Sequence, residues 1–446
     1  MRFQSPINQS TPIAHQMALP REVDIVVVGG GIAGLSTALP LVEQGLSVLV
    51  CEKGRVGGEQ SSRNWGWVRQ TGRDEDEYPI MVESLRLWNE MAARTGENCL
   101  AFQEQGVFYV SENQAAEEKY ERAVAVAKAN GVHSKVLGSS EIQQRVPAAK
   151  KNWVVGLSTP SDGRVEPWYA VPAISRAVVR AGGVVIENCA VRSIESSSGQ
   201  VSEVVTELGS VLTNRVLLAG GAWSSLLAKT VGLSLPQLSV QATVARFDSA
   251  VQLYDGNIKD DGLAVCKRPD GGYNMALTDY QKHYIGPASF QYLRPFAKAI
   301  KTSIKDTRFS MASAGFPDAW RFGSNDDQQS PFEQTRILDP MVDKTLIERM
   351  KQRLAERFAT EDSVTVTHAW SGMIDTMPDF VPVLDECPSV TGLFLATGFS
   401  GHGFGIGPGA GQVMSELLQG KAPGHDLNRF RFSRFTDSSP LKLGPL

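Results

Sequence analysis

Gly29, Gly31 and Gly34, with Glu52 after them, are the residues of this 446-residue chain whose types and spacing point most directly to chemistry. The glycines form Gly-x-Gly-x-x-Gly at the end of an apolar, valine-rich run, Val23 to Val28, and an apolar helical pattern follows. In such a unit the first glycine allows a tight turn, the second lets backbone approach a pyrophosphate, and the third lets helix and strand pack closely. The helix N-terminus then presents unpaired N–H groups and its positive dipole end to phosphate. A second strand, Ser47 to Cys51, ends at Glu52, where a carboxylate accepts hydrogen bonds from a ribose. Strand, glycines, helix, strand and acid in this order predict dinucleotide binding. Pro40 departs from the pattern, because proline inside the expected helix should kink it or end it early.

A second glycine-rich element follows an apolar strand, Leu393 to Thr397: Gly398-Phe399-Ser400-Gly401-His402-Gly403-Phe404-Gly405-Ile406-Gly407. It leads into a terminal helix, expected over Gln412 to Gln419. Such a device directs a helix N-terminus at a place where negative charge develops, as at N1 and O2 of a reduced flavin. So many glycines are costly in unfolded-state entropy unless backbone must approach a ligand. A third element, Val216 to Leu218 with Ala219-Gly220-Gly221-Ala222-Trp223, is a strand ending in small residues that permit close passage of a dinucleotide or ordinary strand-end packing.

With Ser61-Ser62-Arg63-Asn64-Trp65-Gly66-Trp67, Trp370-Ser371-Gly372 and Thr376-Met377-Pro378-Asp379, these segments make the chain resemble the flavin-dependent amine and amino-acid oxidoreductases. That family holds D-amino acid oxidase, D-amino acid dehydrogenase, glycine oxidase and monomeric sarcosine oxidase. The resemblance covers nearly everything beyond residue 22. It implies an α/β plus antiparallel β fold: a Rossmann-like FAD-binding domain of the p-hydroxybenzoate-hydroxylase type joined to a substrate-binding domain. It implies Arg63 and Asn64 alongside the flavin and Gly401, His402 and Gly403 near its pyrimidine. The implied cofactor contacts extend to Ile32, Ala33, Lys53, Ser62, Val191, Ala219, Gly220, Trp223, Gly372, Gly398, Phe404 and Gly405. Monomeric sarcosine oxidase attaches its flavin to a cysteine, but Trp370 to Phe380 holds none and Cys387 lies in a turn-like context, so FAD is expected to be non-covalent. That oxidase also activates oxygen with a lysine over the flavin; Lys282 is the candidate here, against a reading as a solvated strand-edge lysine.

The implied reaction oxidises the C–N bond of an amino acid, D-amino or N-alkyl ahead of L, by hydride transfer to flavin N5, and the imine then hydrolyses. Electrons would pass to oxygen or a respiratory acceptor. An arginine fork would hold the substrate carboxylate, with Arg321, Arg63 and Arg69 as candidates. His402 is either a catalytic group or a strut of fixed tautomer, since a neutral amine delivers hydride without a base. Trp65, Trp67, Trp370, Phe399 and Tyr284 are candidate pocket walls. Rival readings are oxidation of a polyamine, oxidation of a 2-hydroxyacid C–OH bond, and a flavin-holding subunit without its own activity.

The elements that must position these residues form a discontinuous pattern. Residues 1–21 read as a flexible arm. Segments 22–75, 150–233 and 364–446 carry the nucleotide-type pattern, and 76–149 and 234–363 the substrate-domain pattern. Asp74-x-x-Glu77 reads as a cap for a helix through Tyr78, Met81, Leu85, Trp88 and Met91. Val201 to Leu208 and Ser210 to Leu218 read as a hairpin-like pair, and about 236–340 as an antiparallel sheet. The formal net charge of -4, with both signs dispersed, leaves no electrostatic footprint for nucleic acid. No apolar run approaches the ~20 residues that span a bilayer. The five cysteines lack Cys-x-x-Cys spacing and the six histidines lack ligand spacing, so reduced thiols and no metal are expected. A cytoplasmic place, or a peripheral one at the inner membrane face, is expected.

Overall fold

The computed structural model describes residues 6–312, 316–317, 329–360 and 364–444. The glycine motif belongs to a six-stranded sheet in the order Val383–Glu386, Leu393–Thr397, Val216–Leu218, Ile25–Val28, Val48–Glu52, Val184–Glu187. All its pairings are parallel except that of Val383–Glu386 with Leu393–Thr397. Ile25 and Val27 enter a core shared with helices Ile32–Glu43, Tyr78–Thr95, Pro167–Arg180 and Gly403–Leu418. Val26 and Val28 enter a second core, under the three-stranded antiparallel sheet Val191–Ser197, Gln200–Thr206, Gly209–Leu212. Burial on both faces is why the strand is apolar at every position instead of alternating.

A ten-stranded sheet supplies the other half of the site. Its long strands Leu238–Asp248 and Thr365–Thr376 pair antiparallel along their length. Helix Lys344–Arg357 seats Leu346, Met350 and Leu354 against Phe108, Phe247 and Met275 of this sheet. Most of its pairings are antiparallel, as the turn-rich 236–340 segment predicts. Two are parallel: Asn257–Lys259 beside Val107–Tyr109, and Gln281–Ile285 beside Thr307–Met311. The first of these positions the site.

Several expectations need correction. The glycine-motif helix runs through Pro40 to Glu43. Pro40 removes the N–H that the Ser36 carbonyl would accept, and the terminal helix crosses at that point: a Cβ on Gly411 would stand 2.5 Å from the Ser36 oxygen. That terminal helix starts at Gly403, inside the glycine-rich segment, nine residues before the expected Gln412. Glu77 gives helix Tyr78–Thr95 no side-chain cap, because its carboxylate reaches His402 instead. Ser210 to Leu218 divides between strand Gly209–Leu212 and strand Val216–Leu218 of the six-stranded sheet.

The described part of the arm, residues 6–21, is docked and not free. Ile7 and His15 are buried, the His15 N–H donates to Glu187, and the Arg55 Nε donates to the Thr11 carbonyl. Helix Tyr78–Thr95, placed by pattern with the substrate segments, packs in the nucleotide-side core through Ile80, Met81 and Trp88. Val155–Thr159 and Thr365–Thr376, placed with the nucleotide segments, run in the ten-stranded sheet. Among the described residues, no helix is long and apolar enough to cross a membrane.

Candidate active site

A cavity of about 440 Å3 runs from the glycine motif to the ten-stranded sheet. At its first end the strand Ile25–Val28 stops at Gly29, whose φ of +111° is open to glycine and whose added Cβ would sit 2.5 Å from the Ala219 carbonyl oxygen. This close approach brings the strand ends Val28 and Leu218 to one rim. The glycine-motif helix begins at Ile32, whose N–H donates to Ser61 Oγ at 2.9 Å. Glu52 closes this end. Its Oε2 accepts from the Gly30 N–H at 2.8 Å and its Oε1 from the Gly54 N–H at 2.7 Å. A carboxylate has about four acceptor positions, so two of them remain. Burial, against the opposing pull of Lys53 and these two N–H groups, pushes the Glu52 carboxyl up to about 7.

The opposite end is cationic. Tyr109 and Lys259 are register partners on the parallel strands, and Lys259 Nζ lies 4.9 Å from the Tyr109 ring centre. The Arg69 guanidinium lies 5.8 Å from the same ring and donates to the Thr71 carbonyl. Arg73, buried, donates its Nε to the Arg69 carbonyl at 3.2 Å. Among the described residues, none of these three cations has a carboxylate within ion-pair distance. Burial and the Arg69 charge bring Arg73 down to about 9. Burial, Arg69 and Lys119 bring Lys259 down to about 8.

His402 stands between these ends, one residue before the terminal helix, with Nε2 2.8 Å from Glu77 Oε1. Burial holds the imidazole below its ordinary pKa despite Glu77. Burial alone would raise Glu77, but His402 and Arg73 bring it below the usual carboxylate range. The pair is therefore a neutral imidazole donating to a carboxylate. The first turn of the terminal helix is pinned through the Gly405 carbonyl, which accepts from Ser84 Oγ at 2.7 Å and Trp88 Nε1 at 3.0 Å.

Most of the residues singled out in the sequence meet at this cavity. Gly29, Gly31, Ile32, Ala33, Glu52, Lys53, Arg63, Asn64, Val191, Ala219, Gly220, Trp223, Gly372, Gly401, His402, Gly403, Phe404 and Gly405 all line it. Gly34, Ser62 and Gly398 do not: Gly34 packs under the Gly29 carbonyl, Gly398 against Met377, and the Ser62 carbonyl takes the Trp168 Nε1 donor. Lys53 is committed to Glu59 and the carbonyls of Thr335 and Arg336. Arg63 is a strut, bound to Asp339 and the carbonyls of Gly58 and Ser371, which removes it as a carboxylate fork. Lys282 is not on the wall; its ammonium lies 5.9 Å from the ring of Tyr284, two residues further along the same strand. Arg321 lies outside the described residues. Trp65, Trp67 and Phe399 line the cavity, whereas Trp370 stacks edge-on with Trp168 and Tyr284 donates to Gln241. Cys387 is buried behind the six-stranded sheet. The residues that sequence reasoning missed are Glu77, Arg73, Tyr109 and Lys259. Among the described residues there is no cluster of potential metal ligands.

Comparison with known proteins agrees with this geometry. The family described as DAO, FAD dependent oxidoreductase, matches residues 24–417. The mitochondrial sarcosine dehydrogenase of Mus musculus is 24% identical over 438 residues, covering 96% of this chain but 43% of that protein. The chain thus spans less than half the length of this relative. The beta subunit of sarcosine oxidase from an Arthrobacter species is 24% identical over 93% of this chain and 91% of the subunit. Among solved structures, L-amino acid deaminase from Proteus myxofaciens, in complex with anthranilate, superposes with a TM-score of 0.89 at 27% identity, covering 97% of this chain and all of that one.

Proposed function

Because the chain belongs to the FAD-dependent oxidoreductase family, we propose that it oxidises the C–N bond of an amino acid, using FAD held non-covalently in this cavity. The cofactor fits the residues present. Gly29 and Gly31 leave backbone bare at the rim, the helix at Ile32 points its N-terminus there, and Glu52 keeps two acceptor positions for ribose hydroxyls. When bound, FAD supplies the hydride acceptor, and the protein supplies binding, orientation and electrostatics. The six-stranded-sheet body would carry the cofactor and the ten-stranded sheet the substrate.

The observation that carries the substrate class is the unpaired Arg69 on the cavity wall beside Tyr109. A half-buried arginine on a cavity wall, with no acid in ion-pair distance, is well placed to take a carboxylate, which its fork matches geometrically. Trp65, Trp67 and Tyr109 give this part of the cavity an aromatic wall. The N-terminus of the helix at Gly403 favours negative charge developing near it. His402, neutral and held by Glu77, adds no positive charge that would repel an incoming protonated amine. The product imine hydrolyses, and the electrons leave to oxygen or a respiratory acceptor.

The test is Arg69→Met in the FAD-loaded enzyme. KM for amino acids should rise by about tenfold or more, while their decarboxylated amines are affected far less. Equal impairment of both would remove Arg69 from the substrate site. Reduction of the flavin by 2-hydroxyacids but not by the matching amino acids would replace the reading with C–OH oxidation.

A further inference from the structure

Resting on that reading, the charge at the far end of the cavity exceeds what one carboxylate would neutralise. Arg69, Arg73 and Lys259 surround Tyr109, and each lines the cavity. The acids near them are engaged elsewhere. Glu77 accepts from His402 and, ahead of Asp162, offsets Arg73. Asp260 is held by Arg357 at 2.6 Å, and Asp261, which accepts from Ser111, offsets Lys259 from beyond ion-pair distance and less than Arg69 and Lys119 oppose it. Asp162 takes donors from Gln70 and Thr71 and is itself pushed toward its neutral form by burial. Lys119 adds a further positive charge toward Lys259. With Glu77 set against Arg73, two cations remain, Arg69 and Lys259, on one tyrosine ring. A substrate with one carboxylate and a neutral amine would leave one of these half-buried cations without a counter-charge, which costs free energy in a site partly withdrawn from water.

We propose that the preferred substrate is an amino acid bearing a second carboxylate, its α-carboxylate on Arg69 and the other on Lys259 beside Tyr109. The second carboxylate is carried on the side chain or on the substrate nitrogen, and both are a dianion to this surface.

The experiment compares each acid with its carboxamide in the FAD-loaded enzyme, by kcat/KM for flavin reduction. One arm uses aspartate and glutamate against asparagine and glutamine, in both enantiomers. The other uses N-carboxymethylalanine against N-carbamoylmethylalanine. The acid should exceed the amide by about tenfold or more in one arm, which also identifies where the second carboxylate sits. In Lys259→Met the acid-to-amide ratio should fall to near one, and Lys259→Arg should restore it. A variant that merely disturbed the fold would lower both substrates together and leave the ratio intact. Amides that match their acids in both arms, or a preference that survives Lys259→Met, would overturn the proposal while amino acid oxidation stands. If no amino acid reduces the flavin, the underlying reading fails and this one with it.

Discussion

Glu52 holds one backbone N–H on each carboxylate oxygen at the edge of the cavity, and its carboxyl is pushed from 4.5 up to about 7 by burial. In the FAD-free protein the folded chain therefore keeps a proton that the unfolded chain releases above about 4.5. That contribution to stability is complete at lower pH and is lost as pH rises through about 7. The buried Asp162 and Asp375 carboxyls are shifted in the same direction. Between about pH 5 and 7.5 the Glu52 contribution should lower the melting temperature of the FAD-free protein, against the opposite trend from the buried His15, His283 and His402, so the pH slope of Glu52→Gln should be more positive than that of the unsubstituted chain. A parallel slope in the variant would contradict it. In the loaded enzyme, Glu52→Ala should weaken FAD retention by roughly 1.5–3 kcal/mol, read as flavin in the filtrate after extensive dialysis. Glu52 is legible in the sequence because its neighbours in space, Gly30 and Gly54, are also its neighbours in the motif. Lys259 is not legible. Its partner Tyr109 is brought beside it by a parallel strand pairing across a long stretch of chain, and no local spacing encodes that contact.

At the scale of elements, the terminal helix shows how one composition supports two readings. Its glycines suggest backbone approach to a ligand, and Gly401, Gly403 and Gly405 do line the cavity. Gly407, Gly409 and Gly411 instead admit neighbouring chain: added Cβ atoms would meet Ile32 at 2.5 Å, the Ile80 carbonyl oxygen at 2.4 Å and Ser36 backbone at 2.4 Å. The same property, a missing side chain, seats the helix on the glycine-motif helix and on Tyr78–Thr95. Sequence reasoning therefore started this helix too late, taking packing glycines for loop glycines. Gly411→Val would press a branched side chain into Ser36 backbone, where nothing flexible can yield. It should lower stability by at least about 1–3 kcal/mol, as overpacking does, seen as a drop in melting temperature. A neutral result would mean that the two helices are not packed this closely.

Across the whole molecule, the chain passes repeatedly between the two sheets, so contiguous sequence segments do not correspond to the bodies they build. Strand Val155–Thr159 and helix Tyr78–Thr95 each end on the side opposite to their sequence pattern, because either body offers a buried apolar face that suits them. The motif-bearing strands were legible because burial on both faces leaves an unbroken apolar run. The shared cavity is what this exchange creates, with a glycine-rich rim at the six-stranded sheet and a cationic, aromatic wall in which Tyr109 and Lys259 of the ten-stranded sheet meet Trp65, Trp67, Arg69 and Arg73 of the 65–73 segment. The reaction proposed for it is oxidation of a substrate that offers both an amine and a carboxylate. The most direct measurement is anaerobic mixing of the purified, FAD-loaded protein with D-, L- and N-methyl amino acids, including dicarboxylic ones, alongside their decarboxylated amines and matching hydroxy acids. Loss of flavin absorbance with amino acids, and much slower or no loss with the other two sets, is the expected result. Bleaching by polyamines or hydroxy acids alone would contradict the account.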